Sequence, residues 1–384
     1  MEKNGLRGII FRHEKIYPMI DIRCRRCRRP YPENEVPFLC EICGGIFDVD
    51  ALPSYRKIKQ NQFFPGIWRY RNLFGLPDLT PEISLGEGNT PLIWVNIFEN
   101  RVALKAEYIN PTGSFKDRGS AVLVSYLKAL GIDSAVEDSS GNAGASFAAY
   151  AAHSGIETRI YVPESTSGPK INQIKAYGAK VVRIRGPRIN AANAVKKAAE
   201  SGDIYASHAY LPHGIIGYAT IAYELWEQLG TLPGTILCPV GQGNLLLGIG
   251  RGFDSIRRAG LISKLPKLVG VQARACAPMW ALSNNGDVGS GIVSEEKTVA
   301  EGICINTPIR SDVLLEFIEE NNGLFVSVDE NLIINGYEQL ARLGFYVEPT
   351  SAVVYAALEQ VVGNVPEPIV LILTGSGLKT SVVS

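Results

Sequence analysis

From about residue 86 to the C-terminus, short apolar runs alternate with helix-like stretches, and no other feature of the chain limits its fold so strongly. The strand-like runs are "RVALKAEY", "RIYVP", "AKVVRI", "GTILCPVG", "KLVGVQ" and "PIVLILTG". Between them lie "GSAVLVSYLKAL", "NAGASFAAYAAHSG", "GPKINQIKAYG", "NAANAVKKAAESG" and "TSAVVYAALEQVV", which read as helices. Strands this short and apolar need cover on both faces, and alternation with helices supplies it through crossover connections. The expected class is therefore α/β with a largely parallel sheet. Neither internal repeats nor low-complexity segments interrupt the pattern.

In open sheets of this kind, ligands gather where strand ends feed helix starts. Four such junctions are rich in Gly, Ser, Thr and Asn. In "NPTGSFKDRG" (110–119), a turn leads into a helix expected to start near Lys116, with Ser114 as its cap and Asp117 and Arg118 paired locally. Lys116 reads either as a snorkelling surface lysine or as a reactive amine whose pKa the helix N-terminus depresses. In "EDSSGNAGAS" (137–146), Gly141 and Gly144 permit close backbone approach, and Asn142 offers a donor and an acceptor. An ordinary helix start explains that junction equally well. In "PVGQGNLLLG" (239–248), Gly241, Gln242, Gly243 and Asn244 precede an apolar helix, the arrangement of an anion nest, although one Gly-x-Gly is weak support for phosphate. In "VLILTGSGLK" (370–379), a buried strand ends at Thr374, whose hydroxyl suits either a ring nitrogen or a structural bond.

The first 50 residues differ from the rest. "CRRC" and "CEIC", twelve residues apart, place Cys24, Cys27, Cys40 and Cys43 at the spacing of a tetrahedral zinc ribbon. Four thiolates would leave no open position, so such a metal is structural; four reduced cysteines without metal are the alternative. Cys238, Cys276 and Cys304 sit in apolar contexts and are expected to be buried thiols. Residues 52–85, rich in aromatic and basic side chains, suggest one or two helices wrapping onto the main body. Basic and acidic residues number 38 each, so the chain lacks the charge footprint of a nucleic-acid binder. The N-terminus has no signal-peptide pattern, and no run reaches the roughly 18 apolar residues that span a bilayer. A cytoplasmic protein acting on a small molecule, with no membrane and no nucleic acid as partner, is the expectation.

Taken together and in this order, the four junctions resemble those of pyridoxal-phosphate enzymes of fold type II, nearest to the threonine synthase branch and its archaeal-type relatives. "LGEGNTPL" precedes the matching region, "EPTSA" (348–352) falls near its end, and a doubled CxxC also occurs in some members. The resemblance implies two parallel-sheet-based domains behind a ribbon-like segment at 1–50. The larger, cofactor-binding domain would comprise 51–130 and 213–384, and 131–212 would form a smaller mobile one. It further implies that Lys116 carries the cofactor covalently, that Phe115 packs beside its ring and that Asn142 meets its phenolic oxygen. Gly241, Gln242, Gly243 and Asn244 would cradle its phosphate, and Thr374 would face its ring nitrogen. Ser139, Ser140 and Ser207 would contact an amino-acid substrate, and Lys116 would serve as acid and base. Pyridoxal 5'-phosphate, one structural zinc and a homodimer complete the expected assembly.

The implied reaction converts O-phospho-L-homoserine and water to L-threonine and phosphate. The chain departs from the branch at one place. Where its members often carry Asn-Pro-x-Arg-x-Glu-Gly, with an arginine gripping the substrate phosphate, this chain reads "LPHGIIG" (211–217), and Gly214 falls at the arginine. Arg310, Arg274 and Lys170 are the candidate replacements. The alternative is a β-eliminating or β-replacing enzyme, such as a threonine/serine dehydratase or a phosphoserine-using sulfur-transfer synthase like cysteate synthase. His208 and His213 lie in the divergent loop and are either anion or proton-transfer groups or structural residues; Glu348 is expected near the ring.

Overall fold

A computed structural model of the chain describes residues 20–56, 66–285 and 297–380. Its first unit is small: β1 (Asp21–Cys24) pairs antiparallel with β2 (Phe47–Ala51), and both Cys-x-x-Cys knuckles lie in the connection between them, the first starting at the last residue of β1. The Sγ atoms of Cys24, Cys27, Cys40 and Cys43 lie within 4.8 Å of one another, close enough to share one metal ion. Part of the 52–85 stretch, residues 57–65, lies outside the described residues; the rest of its helical content is a 3-10 helix, Gly66–Leu73, with Trp68 and Tyr70 buried.

The main sheet has six strands. β3 (Leu92–Ile97) and β4 (Asn100–Lys105) form an antiparallel hairpin at one edge. An acidic 3-10 turn and the 110–115 loop then lead into α1 (Lys116–Ala129). The chain next builds a separate three-stranded parallel sheet in the order β5 (Ser134–Glu137), β6 (Glu157–Pro163), β7 (Lys180–Ile184). Its helices are α2 (Asn142–Ser154), α3 (Pro169–Ala176) and α4 (Arg188–Glu200). After α5 (His213–Leu229), the chain returns to the main sheet through β8 (Thr235–Pro239), α6 (Asn244–Arg258) and β9 (Lys267–Ala273). Then follow α7 (Pro278–Asn285), α8 (Ser311–Glu320), β10 (Leu324–Val328), α9 (Glu330–Arg342), α10 (Pro349–Val361) and β11 (Ile369–Ile372). Strand order is β10-β9-β8-β11-β4-β3, parallel throughout except at β3.

Burial explains the order. Every residue of β8 and β11 is buried, as central strands covered on both faces must be. In β3 only Ile97 is buried and the other five residues are exposed or partly covered, which suits an edge. Each of the eleven quoted strand and helix runs forms the expected element. "LPHGIIG" does not form a loop: His213 opens α5, with Pro212 at its cap. Gly214 and Gly217 lie on the face that meets α1, close to Gly119 and the Arg118 carbonyl, and the close helix crossing offsets their low helix propensity. Cys238 and Cys276 are buried, but Cys304 is exposed because a 3-10 turn (Glu301–Ile303) carries it to the surface. Among the described residues, no helix is long and apolar enough to cross a membrane.

Candidate active site

The main-sheet junctions and the start of α2 converge on one cavity of about 490 Å³. The 110–119 turn is fixed before it reaches the lysine. Asn110 accepts from Gly88 N (2.9 Å) and donates to the Glu107 carbonyl (2.7 Å). Asp117 accepts from Thr112 N at 2.7 Å, from Thr112 Oγ1 at 2.5 Å and from Ser146 Oγ at 2.6 Å. Phe115, not Ser114, occupies the cap position of α1, and Ser114 Oγ is buried without a partner among the described residues. The side chain that closes the turn is Asp117, reaching back to Thr112. Arg118 does not pair with Asp117 either. It lies fully buried between Glu107 (2.7 and 2.8 Å) and Glu224 (2.7 and 2.8 Å), with Lys105 also on Glu224 at 2.7 Å. This closed ion network holds the foot of α1 against β4 and α5.

Lys116 emerges from that platform into the cavity. Its Nζ stands 4.8 Å from the Phe115 ring centroid and 5.8 Å from that of Tyr218. It makes no hydrogen bond or ion pair with any described residue. The cavity opens onto the side chain, so it is half-buried by area, yet its ammonium is well enclosed. Enclosure lowers its pKa from the usual 10.5 to about 8, while the Glu137 and Glu348 carboxylates pull the other way. Burial, rather than the helix dipole, is the leading cause.

Around Lys116 the remaining junctions take their places. Ser139, Ser140, Gly141 and Asn142 line one wall at the start of α2, where the first-turn N–H groups have no helical acceptors. Asn142 Nδ2 donates to both Glu348 oxygens (3.0 and 2.9 Å), and its Oδ1 is buried and unpartnered. Gly241, Gln242, Gly243 and Asn244 form another wall. Gly243, at φ +83°, turns the chain into α6 through the left-handed region, where a side chain would be strained. The polar side chains of this loop are partly engaged by the protein itself. Gln242 Oε1 accepts from Ile309 N (3.0 Å), and Asn244 Nδ2 donates to the His208 carbonyl (3.0 Å). What the loop offers an anion is its backbone N–H groups, the helix N-terminus and the Gln242 amide nitrogen, whose oxygen alone is engaged. Thr374 is buried at the end of the β11 run, 3.0 Å from Ser351 Oγ and 3.4 Å from Glu348 Oε1.

Ser207 is not brought to the cavity. It is fully buried, and its Oγ accepts from Ala209 N and Tyr210 N at 3.3 Å, closing a turn. Of the two histidines, His208 lines the cavity, with Nδ1 on the buried Glu137 at 2.5 Å. His213 is stacked on Tyr126 (4.0 Å) and edge-on to Tyr31 (5.3 Å), and burial drives its pKa down to about 3, so it serves packing. Neither arginine candidate is free. Arg310 is fully buried on Asp48, Phe47, Ala209 and Tyr210, and Arg274 pairs with Asp329 (2.6 Å). Lys170 does line the cavity, as do Arg188 and Lys379, two cations that sequence reasoning misses. Lys379 ends the "TGSGLK" stretch, but a lysine after a turn carries no signal of where its stem will run.

The donor set fits pyridoxal phosphate: an enclosed amine of lowered pKa, an orphaned amide oxygen, a hydroxyl at a buried strand end and a backbone cradle for a dianion. Fold and site together define a pyridoxal-phosphate-dependent enzyme of fold type II. Residues 83–375 match the family model described as "Pyridoxal-phosphate dependent enzyme", and the chain belongs to that family. Within it, the chain is a threonine synthase-like member. It is 34% identical to the threonine synthase of Methanocaldococcus jannaschii over 93% of this chain and 92% of that one. With the threonine synthase of Methanosarcina acetivorans it shares 33% identity over 94% and 92%. Among solved structures, a threonine deaminase from T.th. superposes with a TM-score of 0.62 at 26% identity, covering 76% of this chain and 94% of that one.

Proposed function

We propose that the chain converts O-phospho-L-homoserine and water to L-threonine and phosphate. The observation that carries this reading is the similarity to two threonine synthases over more than nine-tenths of the chain, set on a cavity in which Lys116, an enclosed amine of lowered pKa, stands at a helix start. The bound cofactor would supply the electron sink for the pair left when the substrate's Cα proton is removed. Lys116 Nζ takes and returns that proton; an amine with a pKa near 8 is poised to do both near neutrality. The Ser139–Ser140 wall and the free N–H groups of α2 hold the substrate carboxylate. Gly241–Asn244 hold the cofactor phosphate through backbone groups, and Thr374 offers a hydroxyl to the ring nitrogen. A neutral hydroxyl, unlike a carboxylate, does not force that nitrogen to stay protonated. Phe115 limits water beside Lys116, and residues 131–212, as the smaller domain, would close over the substrate. The reading carries with it a cytoplasmic setting and a homodimer.

The test is direct. Purified enzyme loaded with pyridoxal phosphate and given O-phospho-L-homoserine should release phosphate and L-threonine in equal amounts. A silent assay, with 2-oxobutyrate formed from threonine or pyruvate from serine, would replace this reading with a dehydratase.

A further inference from the structure

Once the cofactor's needs are met, two buried polar groups of the cavity have no partner among the described residues, Thr380 Oγ1 and Lys379 Nζ, and the second carries a charge. Lys379 is 8% exposed and lines the cavity, yet its Nζ has no hydrogen-bond partner among the described residues. The tie between the anchor turn and the C-terminal loop sets its course. Phe115 N donates to the Thr374 carbonyl (3.0 Å) and Ser376 N to the Gly113 carbonyl (2.9 Å). The stem runs so close to Gly113 that a Cβ there would come within 2.9 Å of Lys379 Cδ. The charges nearest the ammonium are Glu348, Asp117 and Lys170. Both carboxylates are occupied: Asp117 by Thr112 and Ser146, Glu348 by Asn142 and by Lys170 at 3.3 Å. A buried ammonium with no acceptor is costly, and the enclosure holds its pKa near 8. Such a group calls for an anionic ligand.

We propose that Lys379, with Lys170 and Arg188, forms a second anion subsite that takes the phosphate at the far end of the substrate. Lys170 lies in the first turn of α3, and Arg188 is the first residue of α4 with no hydrogen bond or ion pair to a described residue, so both cations stand at helix starts facing the cavity. The position of the branch's arginine offers nothing comparable. Gly214 borders a crevice of about 10 Å³, room for barely one water. A phosphate dianion needs more than one cation, and beside Lys116, which the cofactor takes, these three are the lysines and arginines that line the cavity among the described residues. The subsite rests on the phosphohomoserine reading for the identity of its ligand, but not for its existence.

The experiment uses cofactor-loaded enzyme, in which the cofactor's own phosphate cradle is filled, with inorganic phosphate as the probe. Calorimetry should show phosphate binding to the native holoenzyme. Binding should weaken about 10- to 100-fold in K379M, the loss of one charge-assisted contact. It should weaken less in K170M and R188M and be largely kept in K379R, with the visible cofactor band intact. KM for O-phospho-L-homoserine should rise in parallel in K379M. Native phosphate affinity in K379M overturns the proposal. Should K379M fail to retain cofactor, K170M and R188M decide: if both bind phosphate like the native enzyme, the subsite is overturned. A native enzyme that binds phosphate but makes no threonine would remove the activity reading and leave the subsite standing.

Discussion

At the scale of single residues, the site is governed by how far each charge is removed from water. Lys116 and Lys379 both sit near a pKa of 8, chiefly because burial disfavours their ammonium forms. For Lys116 the sign has a kinetic consequence. Before cofactor is added, the reactive neutral amine is the minor form below about pH 8 and the major form above it. The rate of pyridoxal phosphate uptake, followed by absorbance, should therefore rise about tenfold per pH unit below 8 and level off above. A profile still climbing at pH 10 would mean an unperturbed lysine. K116A should lose threonine formation by at least about 10³-fold while binding cofactor without covalent attachment, so that borohydride fixes none. "NPTGSFKDRG" by itself left open whether Lys116 was reactive or merely solvated. The second lysine could not be read at all, because its role depends on a stem threaded past Gly113, 266 positions earlier in the chain.

At the scale of elements, buried ion pairs decide which pieces hold together. Asp48, at the start of β2, is 1% exposed and accepts from Arg251 on α6 at 2.9 and 2.6 Å. Burial alone would raise its pKa, but Arg251 and Arg310 hold it below the usual carboxylate range. Arg310, just before α8, extends the link to the carbonyls of Phe47, Ala209 and Tyr210, and lies 3.4 Å from Asn244 Oδ1. The ribbon is thus clamped to the loop that opens α6, the same loop that lines the cavity and is proposed to cradle the cofactor phosphate. D48N keeps the shape but leaves two buried guanidinium groups short of a counter-charge. It should lower stability by about 3–5 kcal/mol, read as a drop in denaturation midpoint. If calorimetry also shows weaker cofactor retention, the clamp reaches the cradle; a midpoint shift of less than about 1 kcal/mol would show the pair to be dispensable. An arginine such as Arg310 reads in sequence as a free cation for a substrate phosphate, since "TPIR" carries no trace of the carboxylate 262 positions away.

At the scale of the whole molecule, the ribbon, the six-stranded sheet and the three-stranded sheet contribute different things, and the first carries the four cysteines that could hold a metal ion. Four sulfurs within 4.8 Å predict about one zinc per chain, measured by metal analysis of protein prepared without chelator. Stripping it should unfold the 21–51 unit and lower the melting temperature, because ligand spacing and local fold depend on each other. Protein that carries no zinc and melts unchanged in chelator would remove the metal from the account. The sequence by itself determined the alternation of parallel strands and helices, the paired Cys-x-x-Cys knuckles and the residues of the four junctions. Those depend on local periodicity, turn chemistry and ligand spacing, which neighbours along the chain encode. Only the tertiary structure decided that "LPHGIIG" is helix rather than loop, that Ser207 and His213 face away from the chemistry, and that Arg310 is spent on the ribbon. It alone also placed Lys379 in the cavity. Each of these turns on what lies across the fold, a carbonyl, a ring or a carboxylate far away in sequence, and on whether burial leaves a charge paired or free.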